Sequence, residues 1–331
     1  MAKHLTIINL SYNQLTGQIN SSHWENLANM VKLDLRHNLL DGTIPPSVFS
    51  LPLLQKLQLS NNHFSGQLPE FGNICTLYNL ELSSNSLEGP IPMSIFNLQE
   101  LRILSLSSNN FTGSFLLNDI LQLKNLSSLD LSCNSLSINY NHTNSSHSSF
   151  PKITTLKLAS GNLRRIPKQV NGSIPESRCN KPYLQVLDLS NNSLSGPIPQ
   201  CLTAMSWTLA VLNLRGNKIS GTLPDNFPQP CSLQTLDLNG NVIGSQFPKS
   251  LANCTMLEVL NLGNNQITDV FPCLLKSISS LHVLVLHCNK LYDRIECLKT
   301  NSAWTKLQII NIARNNLLAK YQEVFRKHGK Q

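Results

Sequence analysis

The densest grouping of chemically capable side chains in this sequence is His282, His287, Cys288 and Cys297. Imidazole and thiolate are zinc ligands, but zinc sites pair them at short fixed spacings, and this set as a whole follows none of those patterns. The sequence contains no phosphate-cradling loop, dinucleotide glycine fingerprint, nucleophile elbow or HExxH. Aspartates recur at Asp34, Asp130, Asp188 and Asp237, each in the middle of an LDL or LDLS string. Acid–base catalysis needs carboxylates held apart in pKa by an enclosed apolar cleft. Residues spaced one repeat apart along an open strand face have no such cleft. No enzyme, metal site or cofactor is expected.

These residues are positioned by a repeat. LxxLxLxxN occurs thirteen times, beginning at Leu5, Met30, Leu54, Leu77, Leu101, Leu126, Ile153, Leu184, Leu209, Leu233, Leu257, Leu281 and Leu307. Alternating apolar residues make a short strand with one buried face, so Leu57 and Leu59 point inward while Lys56 and Gln58 point outward. The motif closes on Asn13, Asn38, Asn62, Asn85, Asn109, Asn134, Asn192, Asn217, Asn241, Asn265, Asn289 and Asn315. A primary amide both donates and accepts, so it suits a backbone bend buried between coils. A second pattern, LxGxIP, follows the Asn at Leu40–Pro45, Leu194–Pro199 and Ile219–Pro224. Its Gly allows a tight path and its Pro fixes φ and ends strand pairing.

The period implies a solenoid of class α/β. A parallel β-sheet lines its concave face, and loops and 3-10 turns cover its convex face. Repeats one to seven occupy 1–167 and repeats eight to thirteen occupy 184–318, with a non-repeat tail at 319–331. Between them, 168–183 is an irregular join. Two repeat endings, Ile166-Pro167 and Val170–Pro175, follow one another with no strand between, as an in-frame deletion or a long convex loop would leave them. The polar stretch 137–149 reads as a solvated loop.

Only 13% of the 331 residues are charged, and the net charge is +8. The basic residues are scattered, apart from Arg164, Arg165 and Lys168 and a tail with Arg326, Lys327 and Lys330. Nucleic-acid readers concentrate basic charge on one face with aromatics between, so no nucleic-acid partner is expected. No apolar run reaches the length of a membrane span, and the first residues already fit the repeat rather than a signal peptide.

Cysteine spacing carries chemistry of its own. Cys179 and Cys201, Cys231 and Cys254, and Cys273 and Cys297 are each about one repeat apart, which places side chains on neighbouring rungs within disulfide reach. Three bridges are expected if the chain is exported. Cys75, Cys133 and Cys288 have no partner in phase and read as small core residues. Glycosylation sequons begin at nine asparagines. Asn9 and Asn191 lie on or beside strands where a glycan would compete with ligand, and Asn20 is a further weak match. The expected acceptors are Asn110, Asn125, Asn141, Asn144, Asn171 and Asn253.

Ligand contacts are expected at concave positions that depart from Ser or Asn. An N-terminal group holds Tyr12, Lys32, Arg36, His37, Lys56 and Tyr78; a C-terminal group holds Arg215, His282, His287 and Arg314. Aromatic and Arg side chains carry disproportionate interface energy, and the first group falls on consecutive coils.

The strings LQVLDLSNNSLSGPIPQCL (184–202), LKLASGNLRRIP (156–167) and LQIINIARNNL (307–317) resemble plant leucine-rich-repeat receptor-like proteins, especially the Verticillium wilt-resistance type. The resemblance implies a cell-surface immune receptor at the plasma membrane. Its expected partners are an extracellular microbial protein or peptide and receptor kinase co-receptors. The family also has a signal peptide, a Cys-rich cap, an island segment and a membrane helix. None is found in this sequence, which therefore reads as an internal piece or a truncated product. Two alternatives stay open: a soluble inhibitor resembling polygalacturonase-inhibiting proteins, and a non-functional remnant.

Overall fold

A computed structural model describes residues 4–24, 27–72, 76–120, 122–139, 151–163, 183–244, 246–295 and 304–318. The chain forms two compact units, Met1–Leu163 and Arg164–Gln331. The expected join at 168–183, apart from Tyr183, and the tail at 319–331 lie outside the described residues, as do Cys75, Cys179, Cys297, Asn141, Asn144 and Asn171.

The first unit stacks seven short strands: Ile7–Asn9, Lys32–Asp34, Lys56–Gln58, Asn79–Glu81, Ile103–Ser105, Ser128–Asp130 and Thr155–Lys157. All pair in parallel, with Lys32 opposite Lys56, Lys56 opposite Asn79, and Asn79 opposite Ile103. The second unit stacks six in the same way: Val186–Asp188, Val211–Asn213, Thr235–Asp237, Val259–Asn261, Val283–Val285 and Ile309–Asn311. Alternate leucines of each strand face into the coil. Leu77, Leu80 and Leu82 of one repeat are all 0% exposed. Burying each such side chain contributes about 2 kcal/mol.

The bend that follows each strand has a repeated conformation. The residue before the motif's ninth position is left-handed throughout, as at His37 (φ 54°), Asn61 (φ 59°), Ser84 (φ 55°), Gly240 (φ 70°) and Cys288 (φ 53°). This turn directs backbone carbonyls into the coil, and the ladder Asn meets them. Asn62 Nδ2 donates to Leu59 O of its own coil at 3.1 Å and to Leu35 O of the preceding coil at 2.9 Å. Its Oδ1 accepts from Leu40 N at 3.1 Å. The same three-way pattern holds at Asn38, Asn85, Asn109, Asn134, Asn217, Asn241, Asn265, Asn289 and Asn315. Asn192 donates to Leu189 O and Ser190 O of its own coil. Asn13 is exposed and donates to Leu10 O and Ser11 O. Gly161 occupies the ladder position of the seventh coil.

The LxGxIP segment does more than turn. In the first unit Thr16–Gln18, Leu39–Gly42, His63–Gln67, Ser86–Pro90 and Asn110–Thr112 pair as a second, five-stranded parallel sheet. The second unit has a smaller version in Ser195–Gly196, Lys218–Gly221 and Val242–Ile243. Glycine is required at Gly42, where φ is 74° and an added Cβ would lie 2.7 Å from Gln18 Cγ of the coil below. The return path then runs through 3-10 turns such as Pro46–Ser50, Met93–Asn97 and Lys249–Asn253.

Two expectations need correction. Ser137–Asn139 is not loop: it pairs in parallel with Ser114–Leu116, because buried Ile138 supplies an inward anchor. Cys133 is an exposed free thiol and Cys288 a half-buried one, not core residues. Both occupy the left-handed position (φ 56° and 53°), whose side chain points away from the leucines. Gln58 takes an outward strand position yet is buried, because neighbouring side chains cover it. Cys231 and Cys254 form a disulfide with Cα atoms 4.6 Å apart. Cys201 and Cys273 are also disulfide-bonded.

Replacing a ladder Asn should strand carbonyls and an N–H inside the coil, at about 1–3 kcal/mol per orphan group. Asn62→Ala is expected to destabilise the first unit by on the order of 3 kcal/mol. Asn13→Ala, which touches only its own coil, should cost under about 1 kcal/mol. Urea unfolding of the two variants checks this, and equal midpoints would refute the ladder's role.

Candidate ligand-binding faces

The first unit brings its candidate residues onto neighbouring rungs. Tyr12 and His37 occupy the left-handed position of consecutive coils, and their rings stack with centroids 4.2 Å apart and planes 14° from parallel. His37 Nε2 lies 3.4 Å from Asn61 Nδ2 at the same position of the next coil. Tyr12 remains 71% exposed, so the stack is a ridge presented to solvent.

Beside the ridge lies a charged network that sequence reasoning missed. Asp34, read there as an ordinary repeat residue, is 1% exposed and is gripped by Arg36 through both oxygens, with Nε at 3.0 Å and Nη2 at 2.9 Å. Lys32 Nζ approaches the same carboxylate at 3.4 Å. Arg36 Nη1 reaches across two coils to Glu81 Oε2 at 3.4 Å. Glu81 Oε1 accepts from Gln58 Nε2 at 3.0 Å and Asn79 Nδ2 at 2.9 Å. Arg36 is thus tied within the protein rather than presented freely to a ligand. Lys56 Nζ sits 5.3 Å from the Tyr78 ring centroid, and the Arg102 guanidinium sits 5.8 Å from it. Glu81, Asn79 and Arg102 belong to this face although their residue types alone did not mark them. Their signal was register: each occupies an outward position of its repeat.

The carboxyl of Asp34 titrates below its usual range. Burial acts to raise it, but the hydrogen bonds from the Arg36 side chain and backbone, the Arg36 charge and Lys32 together outweigh burial.

The second unit carries a row of amides. Asp237 Oδ2 accepts from Asn261 Nδ2 at 3.2 Å, and Asn261 Oδ1 accepts from Asn239 Nδ2 at 3.2 Å. Asn264 Nδ2 lies 3.4 Å from Asn239 Oδ1 and 3.1 Å from His287 Nε2. The His287 ring packs over Gly263, where a Cβ would fall 2.6 Å from the ring atoms. Burial pushes the Asp237 carboxyl up, aided by the nearby Asp188; bonds from Asn239 and Asn261 and the Arg215 charge oppose it. Arg215 and Arg314 are exposed, the latter in the left-handed turn. His282 is half-buried ahead of its strand, outside this hydrogen-bonded row. Among the described residues, no three His, Cys, Asp or Glu side chains are grouped to hold a metal ion.

Of the described sequons, Asn110 is exposed in the second sheet. Asn125 is exposed, its amide donating to Gln99 O at 2.9 Å. Asn253 is half-buried, donates to Phe227 O at 3.0 Å and adjoins the bridged Cys254. Nδ2 is the atom a glycan would join, so its packing against Phe227 O makes Asn253 less accessible than the exposed Asn110.

Family models of the leucine-rich repeat match residues 3–64 and 207–267, residues 255–300 as two copies, and residues 76–98 and 183–205. Receptor-like protein 6 of Arabidopsis thaliana is 52% identical over 56 residues, covering 17% of this chain and 6% of that protein. Receptor-like protein 31 of the same plant is 31% identical over 241 residues, covering 66% of this chain and 27% of that protein. The chain therefore spans only a small part of these relatives. Among solved structures, the Arabidopsis receptor kinase HAESA ectodomain with a peptide hormone ligand superposes with TM-score 0.74 at 25% identity, over 95% of this chain and 50% of that one. A PEPR1–AtPEP1 structure shares the fold with TM-score 0.71 at 23% identity, over 94% and 49% of the respective chains. Among the described residues, no helix is long and apolar enough to cross a membrane.

The two aspartates should give opposite pH dependences. Asp34 has a lowered folded pKa, so its stabilisation is complete above the unfolded value of about 3.9 and is lost as pH falls through the folded value. Asp237 has a raised folded pKa, so its charge opposes folding above that pKa, and the penalty is gone below the unfolded value. At pH 7, Asp34→Asn is expected to destabilise by on the order of 3 kcal/mol, and the deficit should close on acidification. Asp237→Asn should melt no lower than the parent at pH 7. Thermal melts across pH check both; an Asp34→Asn deficit independent of pH would contradict the ion-pair account.

Proposed function

Because this chain belongs to the leucine-rich-repeat family, we propose that it is the ligand-binding part of an extracellular plant receptor-like protein. It reads a peptide or protein with the outward side of its strands and performs no catalysis itself. The observation that carries this reading is the first unit's outward face. There Tyr12 stacks on His37, and Lys56 and Arg102 flank the Tyr78 ring, beside the hydrogen-bonded Asp34–Arg36–Glu81 network. Pre-ordered aromatic and basic groups lose little entropy on binding. The receptor-like proteins of Arabidopsis and the peptide-bound HAESA ectodomain support the same class of partner.

Within that class the ligand is a microbial peptide or protein met at the plant cell surface, and receptor kinases serve as co-receptors. A HAESA structure with a peptide hormone and the co-receptor SERK1, of TM-score 0.69 at 26% identity, is consistent with such an assembly. The export this requires also suits the bridged Cys231–Cys254 pair, since disulfides persist in oxidising compartments.

The test is retention of peptides from a fungal culture filtrate by the secreted, immobilised full chain, read by mass spectrometry. A defined peptide should be kept by the parent and lost by at least about ten-fold with Tyr12→Ala/Tyr78→Ala, whose fold is checked by melting. Equal retention by parent and variant would reject the strand face as the binding surface.

A further inference from the structure

We propose that Tyr78, between Lys56 and Arg102, is the seat for one carboxylate of an extended peptide; this rests on the peptide-binding reading above. The three side chains lie on consecutive coils, whose strands are about 4.8 Å apart. Lys56 and Arg102 approach the one ring at 5.3 Å and 5.8 Å. The face's own carboxylates are already committed. Asp34 is held by Arg36 and Lys32, and Glu81 by Arg36, Gln58 and Asn79. Among the described residues, no carboxylate lies within ion-pair distance of Lys56 or Arg102.

Two cations held only by a ring are held weakly when the site is open to water. A carboxylate between them forms charge-assisted hydrogen bonds, which are stronger, while the alkyl stems stay on the tyrosine. Lys32 and Lys56 are also direct register partners, an arrangement that like charge disfavours and a ligand anion relieves.

A second observation favours a peptide over another anion. Asn79, 7% exposed and in register with Lys56, has an Oδ1 with no hydrogen-bond partner. A buried orphan acceptor is disfavoured, and a main-chain N–H beside the bound carboxylate would satisfy it after a small side-chain shift. A polyanion such as an oligouronide fits poorly. Glu81 stands within the face, and the coil after Arg102 offers Ser127 and Ser128 in place of further cations.

The experiment titrates the full chain, isotopically labelled at Lys and Arg side chains, with four probes observed by NMR. They are the capped peptide acetyl-Gly-Ser-Glu-Ser-Gly-amide, its Gln counterpart, that Gln peptide with a free C-terminal carboxylate, and trigalacturonate. The Glu peptide should shift Lys56 and Arg102 signals with an apparent Kd about ten-fold below that of the capped Gln peptide. Lys56→Gln/Arg102→Gln should abolish the difference while leaving the melting temperature within about a degree. Glu81→Gln should tighten the Glu peptide several-fold. Binding of the free-terminus peptide as tight as the Glu peptide supports the same seat with the chain end as carboxylate source. Equal binding of the Glu and capped Gln peptides overturns the seat but leaves strand-face peptide binding standing. Tighter binding of trigalacturonate than of any peptide overturns it in favour of a uronide. No shift with any probe overturns both readings.

Discussion

A bend between stacked coils buries backbone groups that no sheet partner can reach, and the primary amide of one asparagine per coil satisfies them. That constraint underlies the rest of the molecule. The left-handed turn before each ladder Asn aims carbonyls inward, and the amide joins two coils by meeting Leu59 O and Leu35 O together. Because the same residue supplies Oδ1 to the preceding coil's outgoing backbone, it fixes the position of the next strand pair as well. The leucines supply the driving force for stacking, but leucine packing is non-directional. The amide sets the register.

Once register is fixed, the outward positions become a lattice with rungs about 4.8 Å apart, and side chains one repeat apart in sequence become neighbours. The first unit uses that lattice for charge and aromatic contacts: Tyr12 on His37, Arg36 on Asp34, Tyr78 between two cations. The second unit uses it for a row of amides ending on His287 over Gly263. One backbone therefore carries two chemically different faces. Their acids differ accordingly, since Asp34 gains more from its Arg than burial removes, whereas for Asp237 burial prevails.

Several features escaped the repeat pattern for identifiable reasons. The second sheet is built from LxGxIP residues, where glycine and proline read as breakers; they break the path only after a few residues have paired. Cys133 looked apolar by type, but its side chain follows a left-handed backbone outward. Arg36 looked like a free anchor, and only the position of Glu81, 45 residues away, shows that its fork is occupied.

What the sequence determined alone is the coil: its period, its inward leucines, its amide and the one-repeat cysteine spacing that Cys231–Cys254 realises. These are legible because each coil repeats the same local solution, and a one-dimensional period is enough to state it. What only the tertiary structure decided is which outward side chains are spoken for and which remain to meet a partner. Asp34 and Glu81 are consumed within the face, and Lys56 and Arg102 are left on a tyrosine. That outcome depends on how far each side chain reaches across one or two rungs and on what it finds there, which a period does not encode.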